Sequence, residues 1–160
     1  MNWVLDDTTK LRFHTNLEIL LVPIAKQLRE LKWIAGDLDI NSDRLEELPI
    51  GHDKDLYHLN ANEMDYCRQL YPQIVWGYFV GIHRNTEWNL QVKQIPHIEG
   101  NQSIWSSDSR QIQGSVIEII CYDSSLTIVK FSSPRLSHYW KSLFTEAVDL
   151  DSWSSKNFTS

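Results

Sequence analysis

Apolar residues set three different rhythms along this chain. Leu17, Leu20, Leu21, Ile24, Leu28 and Leu31 recur at three- and four-residue steps. That spacing draws one stripe on a helix, which must pack on something flat. Thr15 with Glu18 three residues on is a capping-box pattern, and Pro23 predicts a start or a bend inside the stripe. Asn60 and Glu63 open a second helix, "ANEMDYCRQLY", which must stop before Pro72 because the residue preceding a proline avoids helical angles. Ser133 and Pro134, as cap and first helical residue, predict a third, with Leu136, Tyr139, Trp140, Leu143 and Phe144 as its apolar face.

Between the helices the rhythm shortens. "NWVL", "KWIAGDLDI" (ending around Asp39) and "LYHL" read as strands, with one helical turn predicted at "DRLEEL". "QIVWGYFVGIHR" is nearly all apolar, which suits a strand covered on both faces, with Gly77 and Gly81 leaving room for a bulky neighbour or a bulge. "TEWNLQVKQIPHIEG" reads as a further strand, and "GSVIEIICYDSSLTIVKFSS" as a hairpin turning at Asp123–Ser125. Strands joined by short turns must be antiparallel. The predicted class is therefore α+β: a mainly antiparallel sheet with about three helices packed on it. Residues 1–153 are expected to form one domain and residues 154–160 a flexible tail.

Composition narrows the function classes. Seven Trp, six Tyr and five Phe supply an ample core. No apolar run approaches the roughly 20 residues that span a bilayer, and "MNWVLDDTTK" has no secretory pattern. Cys67 and Cys121 form no CxxC, so free thiols in a reducing cytoplasm are expected. The net charge of −6 is uneven: residues 1–65 hold thirteen acids against seven bases, and the remainder eight of each. Most of the excess falls in "GDLDINSDRLEELPIGHDKD", where Asp37, Asp39, Asp43, Glu46, Glu47, Asp53 and Asp55 face only Arg44 and Lys54. Such a surface repels phosphate, which argues against nucleic acid and anionic membrane as partners and favours a basic protein.

Enzymatic and metal readings of the same residues are weaker. Asp37, Asp39, Asn41 and Asp43 alternate like the first ligands of a calcium loop, but Ser42, Leu45 and Leu48 occupy the places of the glycine, the water-bridging ligand and the bidentate glutamate. His52, Asp53 and Asp55 are close in sequence without a nucleophile elbow, and no zinc spacing or phosphate-binding glycine loop occurs. No catalytic residue, metal or cofactor is therefore assigned. A metal-assisted hydrolase using Asp37, Asp39 and His52 is the enzymatic alternative. A self-associating subunit, homodimeric through "VWGYFVGI", is the structural one.

Trp105 lies in the polar stretch "NQSIWSSDSRQIQG", where an aromatic either anchors a partner or folds back on the sheet. With the acidic stretch it completes the expected partner-binding set. An acidic, Trp-rich α+β domain without catalytic motifs, ending in "IEIICYDSSLTIVKFSSPRLSHYWKSLFTEAVDL", resembles the small bacterial immunity proteins that neutralise polymorphic or contact-dependent-inhibition toxins. The likeness is architectural and rests mainly on the last quarter of the chain. It implies a cytoplasmic, non-enzymatic inhibitor of a cognate basic toxin domain.

Overall fold

The structure is a computed structural model and describes residues 1–6, 8–11, 13–87 and 96–158. The elements run β1 (Asn2–Leu5), α1 (Leu17–Leu21), α2 (Ala25–Leu28), β2 (Leu31–Asn41), β3 (Leu56–Leu59), α3 (Ala61–Gln69), β4 (Gln73–His83), β5 (Ile117–Tyr122), β6 (Leu126–Phe131), α4 (Pro134–Leu143), β7 (Val148–Asp149) and α5 (Leu150–Phe158). The class is α+β. Seven strands form one antiparallel sheet in the order β3-β2-β4-β5-β6-β1-β7.

The first helical stripe is broken where proline requires it. α1 ends at Leu21, Val22–Ile24 form a 3₁₀ turn around Pro23, and α2 adds one more turn. Two details differ from the sequence reading. The cap is Asn16, whose side chain accepts from the Ile19 amide, while Thr15 is buried with φ +65° and its hydroxyl donates to the Ile74 carbonyl. Leu31 begins β2, where strand pairing with β4 overrides the helical spacing. The capping box at Asn60 and Glu63 is complete, and Ser133 caps α4 with Pro134 following.

Alternation along the strands divides the core into two layers. Trp33, Ala35, Phe79, Ile119 and Val129 face α1–α4, where Trp140 is buried and its indole donates to the Leu20 carbonyl. Ile34, Tyr78, Val80, Ile120 and Ile128 face the other way. Their cover is the segment 96–116, through Ile98, Ile104 and Ile112, together with Leu150 at the start of α5. The fold is thus helices, sheet, then a loop-built third layer.

β4 is paired along both edges, to β2 and β5, and Gly77–Ile82 are buried. It therefore offers no free strand edge to a second copy. Cys67 and Cys121 are free and buried, and burial pushes the Cys67 thiol up to about 12 and that of Cys121 higher still. The strand expected from "TEWNLQVKQIPHIEG" falls largely on residues 88–95, outside the described residues. Residues 154–158, expected to be tail, are the last turns of α5. Among the described residues no helix is long and apolar enough to cross a membrane.

Candidate functional site: an acidic cleft beside a β-bulge

The site begins with one irregularity in strand pairing. Gly36 lies opposite Tyr78 and Asp39 opposite Trp76, so Asp37 and Leu38 together face the single residue Gly77. An extra residue of this kind kinks a strand and re-aims its side chains. Asp37 takes φ +53°, which an aspartate tolerates better than most residues, and Gly77 takes φ +138°. A side chain at 77 is excluded: a Cβ there would lie 2.7 Å from Leu38 Cδ2 and 3.2 Å from the Asp37 and Gly36 carbonyl oxygens. At Gly81 the open space is instead filled by Leu31 and Ile117.

The bulge forms one wall of a cleft of about 330 Å³, lined by Asp37, Leu38, Asp39, His52, Lys54, Asp55, Trp76, His97 and Glu99. Four carboxylates thus meet around one opening, with Lys54 the only lysine or arginine on its lining among the described residues. Asp37 is partly committed: Oδ2 accepts from the Ile98 amide at 2.6 Å, and Oδ1 is 3.6 Å from His97 Nδ1. These contacts bring Pro96–Gly100, and with it Glu99, to the acidic stretch. His52 Nδ1–H donates to the Leu38 carbonyl at 3.3 Å, holding the 51–55 turn against the bulge. Beneath, Tyr78 is fully buried, and its hydroxyl has no hydrogen-bond partner among the described residues. Burial and the Asp37 charge both push its pKa upward, so it stays neutral.

The seven acids of the sequence reading therefore divide. Asp37, Asp39 and Asp55 line the cleft. Asp43 and Glu46 are exposed on the connection that follows β2, where Leu45–Glu47 form the expected helical turn as a 3₁₀ turn. Glu47 is already paired with Arg44 at 2.5 Å, and that contact lowers its pKa. Asp53 accepts the Tyr57 hydroxyl at 2.5 Å, which holds its carboxyl below the usual range. It braces the turn while staying exposed. Glu99 and Trp76 were missed. Glu99 follows a proline in a stretch without periodicity, and Trp76 reads as core in an apolar strand.

Trp105 is half-buried and does fold back. Its ring stacks on Trp153 at 5.2 Å and meets Tyr122 and Phe158 at 5.0 Å each, and Tyr122 in turn lies 4.6 Å from Trp76. The result is a row of aromatics running from the cleft wall to α5. The middle of α5 is held there by the Ser154 hydroxyl, which donates to the Trp105 carbonyl, and by the Trp153 indole, which donates to Asp6.

The segment carrying Glu99 and Trp105 is pinned by charges on the sheet beneath it. Lys130 and Glu118 are register partners on β6 and β5, and both are buried. Lys130 Nζ donates to the carbonyls of Ser103, Ser106 and Ser109 at 3.2, 2.8 and 2.9 Å. Glu118 accepts the amides of Gln111 and Ile112 at 3.1 and 3.0 Å. Burial pushes Lys130 down to about 8 against the opposing pull of Glu118, so it is still cationic at pH 7. Arg110 donates to the Phe131 carbonyl.

Asp37, Asp39 and His52, the trio of the hydrolase alternative, do line the same cleft. Among the described residues, however, no three His, Cys, Asp or Glu side chains are placed to share one metal ion. Compared with protein-family models, curated proteins and solved structures, the chain matches none.

Proposed function

We propose that this protein is a non-enzymatic binding module that captures a basic protein through the cleft between β2, the 51–55 turn and the 96–100 segment. Its role would be that of a cytoplasmic immunity protein neutralising a cognate toxin domain. One observation carries the reading: Asp37, Asp39, Asp55 and Glu99 converge on a single opening beside Trp76, with Lys54 the only strong cation there among the described residues. Clustered carboxylates steer a cationic partner and raise association rates by roughly 10 to 10³. An indole face beside them receives an arginine guanidinium by stacking. The aromatic row through Tyr122, Trp105 and Trp153 extends the contact surface beyond the cleft.

The test is affinity capture from the source organism with wild type and with the triple variant Asp39→Asn/Asp55→Asn/Glu99→Gln. Those three carboxylates belong to exposed residues, so the variant should fold as wild type does. The expected outcome is one basic protein that wild type retains at low salt, that the variant does not retain, and that leaves wild type as salt rises. Expressing that protein alone should arrest growth, and co-expressing wild type but not the variant should restore it. Equal capture and equal rescue by both forms would overturn the reading.

A further inference from the structure

β2 and β4 run alongside each other, with Asp39 opposite Trp76 near the cleft and Leu31 opposite His83 at the far end. At that far end, on the helical side of the sheet, lies a second and larger cavity of about 760 Å³. It sits where the chain enters β2, leaves β4, approaches β5 and leaves β6, and α2 and the start of α4 wall it. Its size falls within the range of sites that take organic ligands, roughly 300–1,000 Å³. Pro23, Leu31, Val116 and Leu136 make an apolar floor, and Tyr139, half exposed, stands at the rim.

The charges around this floor are the reverse of those in the cleft. Lys26 projects from α2 and Arg135 from the first turn of α4. Among the described residues neither side chain has an ion-pair or hydrogen-bond partner. Glu30, the one acid on the lining among the described residues, is already paired with Arg84 at 2.9 Å. α4 is ten residues long and has no acid in its first turn. A cation at the positive end of a helix dipole is unfavourable by itself and becomes favourable once an anion joins it. An apolar floor between two unpartnered cations, one on each helical wall, has a defined chemical complement. We propose that this cavity binds an amphipathic organic carboxylate, its aliphatic or aromatic body on Leu31, Val116 and Leu136 and its carboxylate between Lys26 and Arg135.

The experiment is calorimetric titration of the full chain with decanoate and with decanol, below their aggregation limits, with thermal unfolding as a second readout. Decanoate should bind one to one and raise Tm, with decanol at least about tenfold weaker. Lys26→Gln/Arg135→Gln, both at exposed positions, should unfold like wild type without ligand and lose about tenfold or more in decanoate affinity. The cleft variant Asp39→Asn/Asp55→Asn/Glu99→Gln should bind decanoate as wild type does, because the two sites are separate. The proposal is overturned by no decanoate binding, by equal affinity for decanol, or by unchanged affinity in the Lys26/Arg135 variant. Binding of an acidic peptide in place of decanoate would also overturn it.

Discussion

Replacing Lys130 with methionine tests how the third layer is held. Methionine keeps most of the side-chain volume and removes only the ammonium, so packing in the sheet is nearly conserved. What disappears is the donor shared by the carbonyls of Ser103, Ser106 and Ser109. A buried acceptor left without a partner costs about 1–3 kcal/mol. Ser103, Ser106 and Ser109 are only half-buried, so water reaches their backbone in part and the lower figure applies. The Ser103 and Ser106 carbonyls keep the amides of Ser106 and Ser109 as donors, so only the Ser109 carbonyl loses its one donor. That group costs about 1 kcal/mol, the weakened bonding of the other two about 1 kcal/mol together, and the loss of the cation opposite buried Glu118 about 1 kcal/mol. Burying the ammonium is itself costly, and methionine removes that cost. The net expectation is a destabilisation of about 2 kcal/mol, a sizeable share of the 5–15 kcal/mol typical of a domain. Urea unfolding at pH 7, followed by tryptophan fluorescence, measures it directly. Lys26→Met, exposed and unpartnered, is the control and should stay within about 0.5 kcal/mol of wild type. A loss below about 1 kcal/mol for Lys130→Met would refute the claim that this ammonium pins the segment.

Gly77→Ala should cost about 2–4 kcal/mol in the same assay, because φ +138° and the contact with Leu38 leave no room for a methyl group; a cost below about 1 kcal/mol would mean that the bulge relaxes easily. Glu146 gives the acid limb of stability. Burial works to raise its carboxyl, but the Thr8 hydroxyl at 2.5 Å and the Lys10 ammonium at 2.9 Å outweigh this and hold it at about 2. Its contribution is therefore complete above the unfolded value near 4.3 and fades as pH falls toward 2. About 1–2 kcal/mol should go with it, after discounting for its partial exposure. Glu146→Gln should flatten that part of the stability–pH curve, and an unchanged acid slope would refute the assignment.

Much of the fold follows from local physics and was legible in the sequence. Period-two alternation places Ile34 and Trp33 on opposite faces whatever else happens, and Ser133–Pro134 or Asn60 with Glu63 fix helix starts within a few residues. The break at Pro23 is of the same kind, since a missing amide is a property of the residue itself. Even there, Leu31 shows the limit: its spacing fits the helix, and pairing with β4 takes it into a strand. The concentration of negative charge between Asp37 and Asp55 was equally plain. Which carboxylates act together was not. Arg44 takes Glu47 and Tyr57 takes Asp53 through contacts within the stretch, while Glu99 joins the cleft only because Ile98 donates its amide to Asp37 across the sheet. Trp105 needed the same information, since its neighbours Tyr122 and Trp153 are distant in sequence. The sequence by itself determined most of the secondary elements, though not β7 or α5, together with the α+β class and the sign of the charge. Only the tertiary structure decided which of those charges share a site, because electrostatic and ring contacts depend on distance in space and not on separation along the chain.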